Sequence, residues 1–165
     1  MPPLYFSSFE VSRQAFYRVR LAAAIVNLKP IVPGHILVIP TRPVPRLADL
    51  EHDELASLIA SVQHVGRVIE RVFAADGLTI ACQDGKAAGQ TVPHVHFHLL
   101  PRKTEGDAFP NNDDVYPALA HAEGALPGAL ALRQEQSVPL PTLAEDMETE
   151  ARWLATFFEP SGVDV

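Results

Sequence analysis

Apolar residues recur along this chain at two spacings, one near two residues and one near 3.6, and each spacing predicts a different element. Residues 16–20 and 22–27 carry strand chemistry, as a hairpin or one bent strand. Pro30-Ile31-Val32-Pro33-Gly34 is turn chemistry, with Pro33 suited to the second position of a type II turn and Gly34 to the third. Residues 35–39 form the next strand, closed by Pro40. The clearest helix covers residues 51–75, where Leu55, Leu58, Ile59, Val62, Val65, Ile69, Val72 and Phe73 keep helical spacing and Asp76-Gly77 supplies the stop. Residues 78–83 form a strand and 84–90 a loop. Residues 92–101 form a strand that pairs antiparallel with 78–83. Residues 104–141 show no convincing period and hold five prolines, Pro110, Pro117, Pro127, Pro139 and Pro141. They are read as an irregular, flexible excursion. Thr142-Leu143-Ala144-Glu145 is a capping box that starts a last helix, with Leu143, Met147, Ala151, Leu154 and Phe158 on its apolar face. The pattern predicts one α+β domain, an antiparallel β-sheet packed with one long helix and a C-terminal helix. Residues 1–103 form its core, 104–141 a Pro-rich acidic excursion, and 142–165 the C-terminal helix.

The chain has 165 residues, which suits one domain large enough to bury a core without staples. Its one cysteine, Cys82, rules out an intrachain disulfide and fits a reducing compartment. The longest purely apolar run, residues 21–26, is far too short for a bilayer, and residues 1–10 do not read as a secretion leader. The expected location is the cytoplasm, with the nucleus also open. The net charge of −7 is unevenly placed. Residues 1–103 hold 11 Lys/Arg against 8 Asp/Glu, and residues 104–165 hold 2 against 12. The first part is thus mildly basic and admits an anionic small molecule. No basic cluster interleaved with aromatics supports nucleic-acid binding.

Candidate chemistry sits in His94-Val95-His96-Phe97-His98. On a strand the three histidines share one face, with Val95, Phe97 and Leu99 on the other. Three readings are open. His96 can act as a nucleophile at phosphorus, with its neighbours stabilising charge or handling a leaving group's proton. The preceding Gly89-Gln90-Thr91-Val92 can aim N–H groups and polar side chains at phosphate oxygens. Alternatively the histidines hold Zn²⁺, although ligands about 6.5 to 7 Å apart in a line converge poorly on one ion. The third reading is a set of surface strand histidines. His52, His64 and His121 have no such context and are read as surface residues.

The surroundings separate these readings. Residues 27–40, from Asn27 through Pro33-Gly34-His35 to Pro40, resemble the histidine triad superfamily, as do Gln83-Asp84-Gly85 and residues 89–102. The likeness is greatest to its fragile histidine triad branch, the dinucleoside polyphosphate hydrolases. It covers about residues 11–103 and weakly resumes at 111–119. The resemblance implies a histidine triad fold and hydrolysis of diadenosine triphosphate to AMP and ADP. It casts His96 as the nucleophile that carries AMP covalently, His94 and His98 as its supporting neighbours, and His35 as a fourth site histidine. Asn27 matches a ribose contact. Gln83, Gly89, Gln90, Thr91, Val92 and His98 match substrate contacts. No tightly bound cofactor and no protein-held metal are implied, and Mg²⁺ or Mn²⁺ would accompany the polyphosphate. A homodimer with joined sheets is implied, with neither nucleic acid nor membrane as partner. Two rival functions within reach are a nucleoside phosphoramidase and a signalling module whose useful state is the nucleotide-loaded complex. Ser8 stands where some relatives have a substrate-reaching histidine, and Tyr116 matches a tyrosine phosphorylated in an animal relative.

Overall fold

The computed structural model describes residues 2–135 and 143–158, with side chains at 133–135 and 143–145 excepted. Five strands form one antiparallel sheet: β3 (Ala15–Arg18), β4 (Ala22–Val26), β5 (Ile36–Pro40), β6 (Gly77–Ala81) and β7 (Phe97–Arg102), in the order β3-β4-β5-β7-β6. A separate hairpin precedes it, β1 (Tyr5–Phe6) and β2 (Phe9–Glu10), which the apolar pattern left unassigned. The predicted antiparallel pairing of β6 with β7 is present, with Ile80 opposite Leu99.

The two central strands β4 and β5 are buried along their whole length, because both faces of the sheet are covered. One face meets α1 (His52–Val72) and α3 (Leu143–Ala155). Ala24, Val26, Ile36, Val38, Val95 and Leu99 pack there with Leu58, Val62, Val65 and Ile69 of α1, and with Met147, Ala151 and Leu154 of α3. Thr142, the expected cap of α3, lies outside the described residues.

The opposite face corrects the expectation for residues 104–141. Val115–Glu135 is a helix, α2, of 21 residues. Val115, Leu119, Ala122, Leu126 and Leu130 are spaced four, three, four and four residues apart, a helical stripe hidden by the prolines and glycines between them. All five are buried. Val115 and Leu119 pack with Val32 and Leu100; Leu126 and Leu130 pack with Phe6, Val11, Ile25 and Leu37. Tertiary burial outweighs the poor helix propensity of Pro127, Gly124 and Gly128.

Two local features hold the site-bearing turns. His35 N–H donates to Val32 O at 3.2 Å across Pro33-Gly34, and Gly34 has φ +83°, as the type II reading requires. A Cβ on Gly34 would stand 2.7 Å from the Phe73 ring. The helix α1 ends at Val72, earlier than Asp76-Gly77 suggested, because Ala74 takes φ +51°. Ala75 N–H then donates to Glu70 O at 2.8 Å and Ala74 N–H to Arg71 O at 3.3 Å, which satisfies carbonyls of the last turn.

Candidate active site

Only His98 lies within β7; His94 ends a bend at residues 92–94, and His96 stands between that bend and the strand. The expected strand 92–101 therefore begins five residues later. Pro93 has no N–H to donate, and Val95 N–H leaves the sheet to reach Val44 O at 2.9 Å. The predicted sidedness holds nonetheless. Val95 and Leu99 enter the core against α1, while the three imidazoles face α2 and the N-terminal hairpin.

Each ring has a defined set of partners. His94 Nε2 donates to Pro40 O at 2.8 Å, and its Nδ1 accepts from Ser7 N–H at 2.8 Å. Burial pushes His94 down to about 4, so this ring is neutral near pH 7 and fully engaged by backbone. His96 Nδ1 donates to the His94 carbonyl at 2.7 Å, which fixes the ring and turns Nε2 toward α2. Phe6 packs on both rings, with centroids 5.3 and 5.1 Å away.

His98 and His35 form a relay of neutral rings. His98 Nε2 lies 2.9 Å from Glu123 Oε2. A carboxylate only accepts, so His98 donates from Nε2 and accepts at Nδ1. His35 Nε2, 2.9 Å from that nitrogen, is the donor. His35 Nδ1 then accepts from Ile31 N–H at 3.3 Å. Burial, reinforced by His98, holds His35 down at about 3, and burial likewise lowers His98.

Glu123 is the residue that sequence reasoning missed. It projects from α2, is 1% exposed, and places both carboxylate oxygens on His96 Nε2 at 2.8 and 2.9 Å. Thr91 N–H donates to Oε1 at 3.1 Å, and Thr91 Oγ1 donates to the Glu123 carbonyl at 2.7 Å. Burial pushes this carboxyl up, but hydrogen bonds from His96 and His98 outweigh it and hold it well below the usual carboxylate range. One acid in a Pro/Gly-rich stretch gives no periodic signal; the only cue was the helical stripe around it. His96, His98 and Glu123 offer ligand atoms within 4.8 Å of one another, whereas His94 has both nitrogens turned to backbone and is not part of that group. His94 thus stands outside the set of side chains whose ligand atoms converge.

The remaining predicted residues divide in two. Asn27 is buried, with its amide 3.0 to 3.3 Å from the His35 ring nitrogens. Gln83 Oε1 is the one fully buried side-chain oxygen or nitrogen without a hydrogen-bond partner among the described residues. The Gln90 amide is spent within its loop: Oε1 accepts from Gly85 N–H at 2.8 Å, and Nε2 donates to Pro45 O and Val92 O. Val92 is buried among apolar residues. Gly89 takes φ +98° at the loop's end and is exposed. Beside it opens a depression of about 700 Å³ lined by Pro45, Arg46, Gly85, Lys86, Gly89, Gln90, Thr91 and Pro93. Cys82 lies nearby as a protonated thiol, pushed up to about 11 by burial.

Comparison with known proteins agrees with this geometry. A family model described as the HIT domain matches residues 8–105. The chain is 48% identical to a bis(5'-nucleosyl)-tetraphosphatase (asymmetrical) of Schizosaccharomyces pombe, over 94% of each chain. It is 43% identical to a bifunctional bis(5'-adenosyl)-triphosphatase/adenylylsulfatase of Arabidopsis thaliana, over 89% of this chain and 79% of that one. The crystal structure of a Plasmodium falciparum diadenosine triphosphate hydrolase in complex with cyclomarin A superposes with a TM-score of 0.70 at 26% identity, covering 95% and 84% of the two chains.

Proposed function

Because this chain belongs to the HIT domain family, in its fragile histidine triad branch, we propose that it hydrolyses dinucleoside polyphosphates through a nucleotide carried on His96. It is an enzyme of the class to which its bis(5'-adenosyl)-triphosphatase relatives belong. The observation that carries the mechanism is the His96 ring: its Nδ1 proton is tied to the His94 carbonyl, so Nε2 is the nitrogen left to attack.

With diadenosine triphosphate, the Nε2 lone pair forms a bond to the α-phosphorus. The bond from that phosphorus to the bridging oxygen breaks, and ADP leaves with the electron pair and takes up a proton. Water then attacks the same phosphorus, the P–N bond breaks, and AMP is released with the imidazole restored. His98 donates to a phosphoryl oxygen from Nε2, and neutral His35 holds that tautomer from behind. His94 acts through its carbonyl, which orients the nucleophile. Asn27 meets a ribose, and the Gln83 amide NH2 and the Thr91 N–H donate to phosphate oxygens. Mg²⁺ or Mn²⁺ would travel on the polyphosphate; Asp84, next to Gly85 of the depression, is paired with Arg46 at 3.0 Å. A second copy joins through β6, one of the two edge strands of the sheet, where Ile80 is 49% exposed. No described helix is long and apolar enough to cross a membrane. The single thiol fits the cytoplasm.

Mass spectrometry of the full chain, acid-labile adducts preserved, after rapid quench with diadenosine triphosphate tests the step. The expected result is one adenylyl group on His96, absent in His96→Asn, with turnover reduced by about 10⁴-fold or more in that variant. Persistent steady-state turnover without the imidazole overturns it. Faster cleavage of adenosine phosphoramidate than of diadenosine triphosphate favours the phosphoramidase instead.

A further inference from the structure

The nucleophile required by that hydrolase reading, on which this inference rests, is stoppered in the structure. His96 is 2% exposed, and its Nε2 faces the Glu123 carboxylate. A carboxylate only accepts, so the bond requires a proton on Nε2, and a protonated Nε2 has no lone pair to give phosphorus. We propose that α2 is an internal substrate mimic that holds the enzyme closed at rest, and that a dinucleoside polyphosphate enters only when Glu123, Leu126 and Leu130 leave the sheet.

Three independent features of α2 support this. The donors gathered on the Glu123 carboxylate are His96 Nε2, His98 Nε2 and Thr91 N–H, a set fitted to the oxygens of a phosphoryl group. Three and seven residues further on, Leu126 and Leu130 fill an apolar cleft formed by Phe6, Val11, Ile25 and Leu37, next to Asn27. Only about 10 Å³ of void remains there. An anion followed by apolar bulk is the order in which a nucleotide presents its phosphate and base.

The helix is also weakest where it has to yield. Pro127 has no N–H, so the Glu123 carbonyl four residues earlier lacks its helical donor. Thr91 Oγ1 supplies that bond from the catalytic loop instead. Gly124 and Gly128 flank the same turn and lower its helix propensity further. The closed state is thus held by the site's own donors and by apolar burial, which substrate can replace.

A catalytic partnership between Glu123 and His96 fits less well. A carboxylate that orients a reacting imidazole binds the nitrogen remote from the chemistry. Here that nitrogen, Nδ1, is already tied to the His94 carbonyl, and Glu123 occupies the reacting one.

The test uses the full chain, Glu123→Ala, and a Leu126→Ser/Leu130→Ser double variant, with diadenosine triphosphate as substrate. Closure lowers the competent fraction without changing the competent site, so both variants should lower KM about tenfold with kcat within about twofold of wild type. Hydrogen exchange across residues 115–135 should show protection in the wild type at rest. That protection should be lost in Glu123→Ala, and lost in the wild type saturated with a methylene-bridged diadenosine triphosphate analogue. A fall in kcat with unchanged KM makes Glu123 part of the chemistry and overturns the proposal, as do an unchanged KM and α2 protection that survives the analogue. A wild type that does not cleave diadenosine triphosphate sinks the hydrolase reading alone, because exchange in the resting wild type and in Glu123→Ala decides closure without substrate.

Discussion

The three triad imidazoles do different work because their nitrogens have different partners. His94 spends both on backbone, His98 is tied to His35 at Nδ1 and keeps Nε2 as a donor, and His96 is left with a nitrogen to attack once Glu123 withdraws. Burial of neutral imidazoles has a measurable consequence. His35 and His94 sit at about 3 and about 4, against 6.5 when unfolded. As pH falls below about 6.5 the unfolded chain binds these protons first, so their contribution to stability is complete above about pH 6.5 and is lost progressively toward pH 4 and 3. The urea midpoint should fall between pH 7 and 5, above the range where Glu54 and Glu123, whose pKa values lie below the ordinary carboxylate value of 4.5, begin to add their own loss. His35→Gln should flatten that fall, and a profile level from pH 7 to 5 contradicts the assignment. At this scale the sequence was informative for residue type and sidedness. The histidine spacing and the Pro33-Gly34 turn are local chemistry. The carboxylate that binds His96 comes from 27 residues further along, and no local rule announces it.

Among the elements, α2 is where local and tertiary preferences disagree. The sheet, α1 and α3 were legible because their apolar periods are uninterrupted, although α1 and the histidine strand differ from the expectation at their ends. In α2 the buried stripe of Val115, Leu119, Ala122, Leu126 and Leu130 is interrupted by Gly124, Pro127 and Gly128, so periodicity and propensity give opposite answers, and burial decides. Restoring the missing donor tests this balance. Pro127→Ala returns an N–H to the Glu123 carbonyl and removes a residue that costs about 3 kcal/mol in a helix interior relative to Ala. It should tighten closure and raise KM for diadenosine triphosphate about tenfold or more, the opposite sign to Glu123→Ala. Steady-state kinetics of the two variants side by side checks it, and a KM that moves the same way in both refutes the scheme.

For the whole molecule, the open margin of the sheet and the covered histidine face point to different surroundings. The margin at β6 carries Ile80 outward and is suited to a second copy. Ile80→Lys places a charge on that edge and should convert a dimer to a monomer by sedimentation, with α1 and the core unaffected by circular dichroism. A dimer that persists in this variant excludes the β6 edge as its seam. The seven histidines are partitioned as well: His52, His64 and His121 are exposed, while His35, His94, His96 and His98 are buried. A resting molecule therefore keeps its chemically potent ring out of reach of stray electrophiles and adventitious metal ions in bulk solvent, and unveils it only in company with the nucleotide it is to cut.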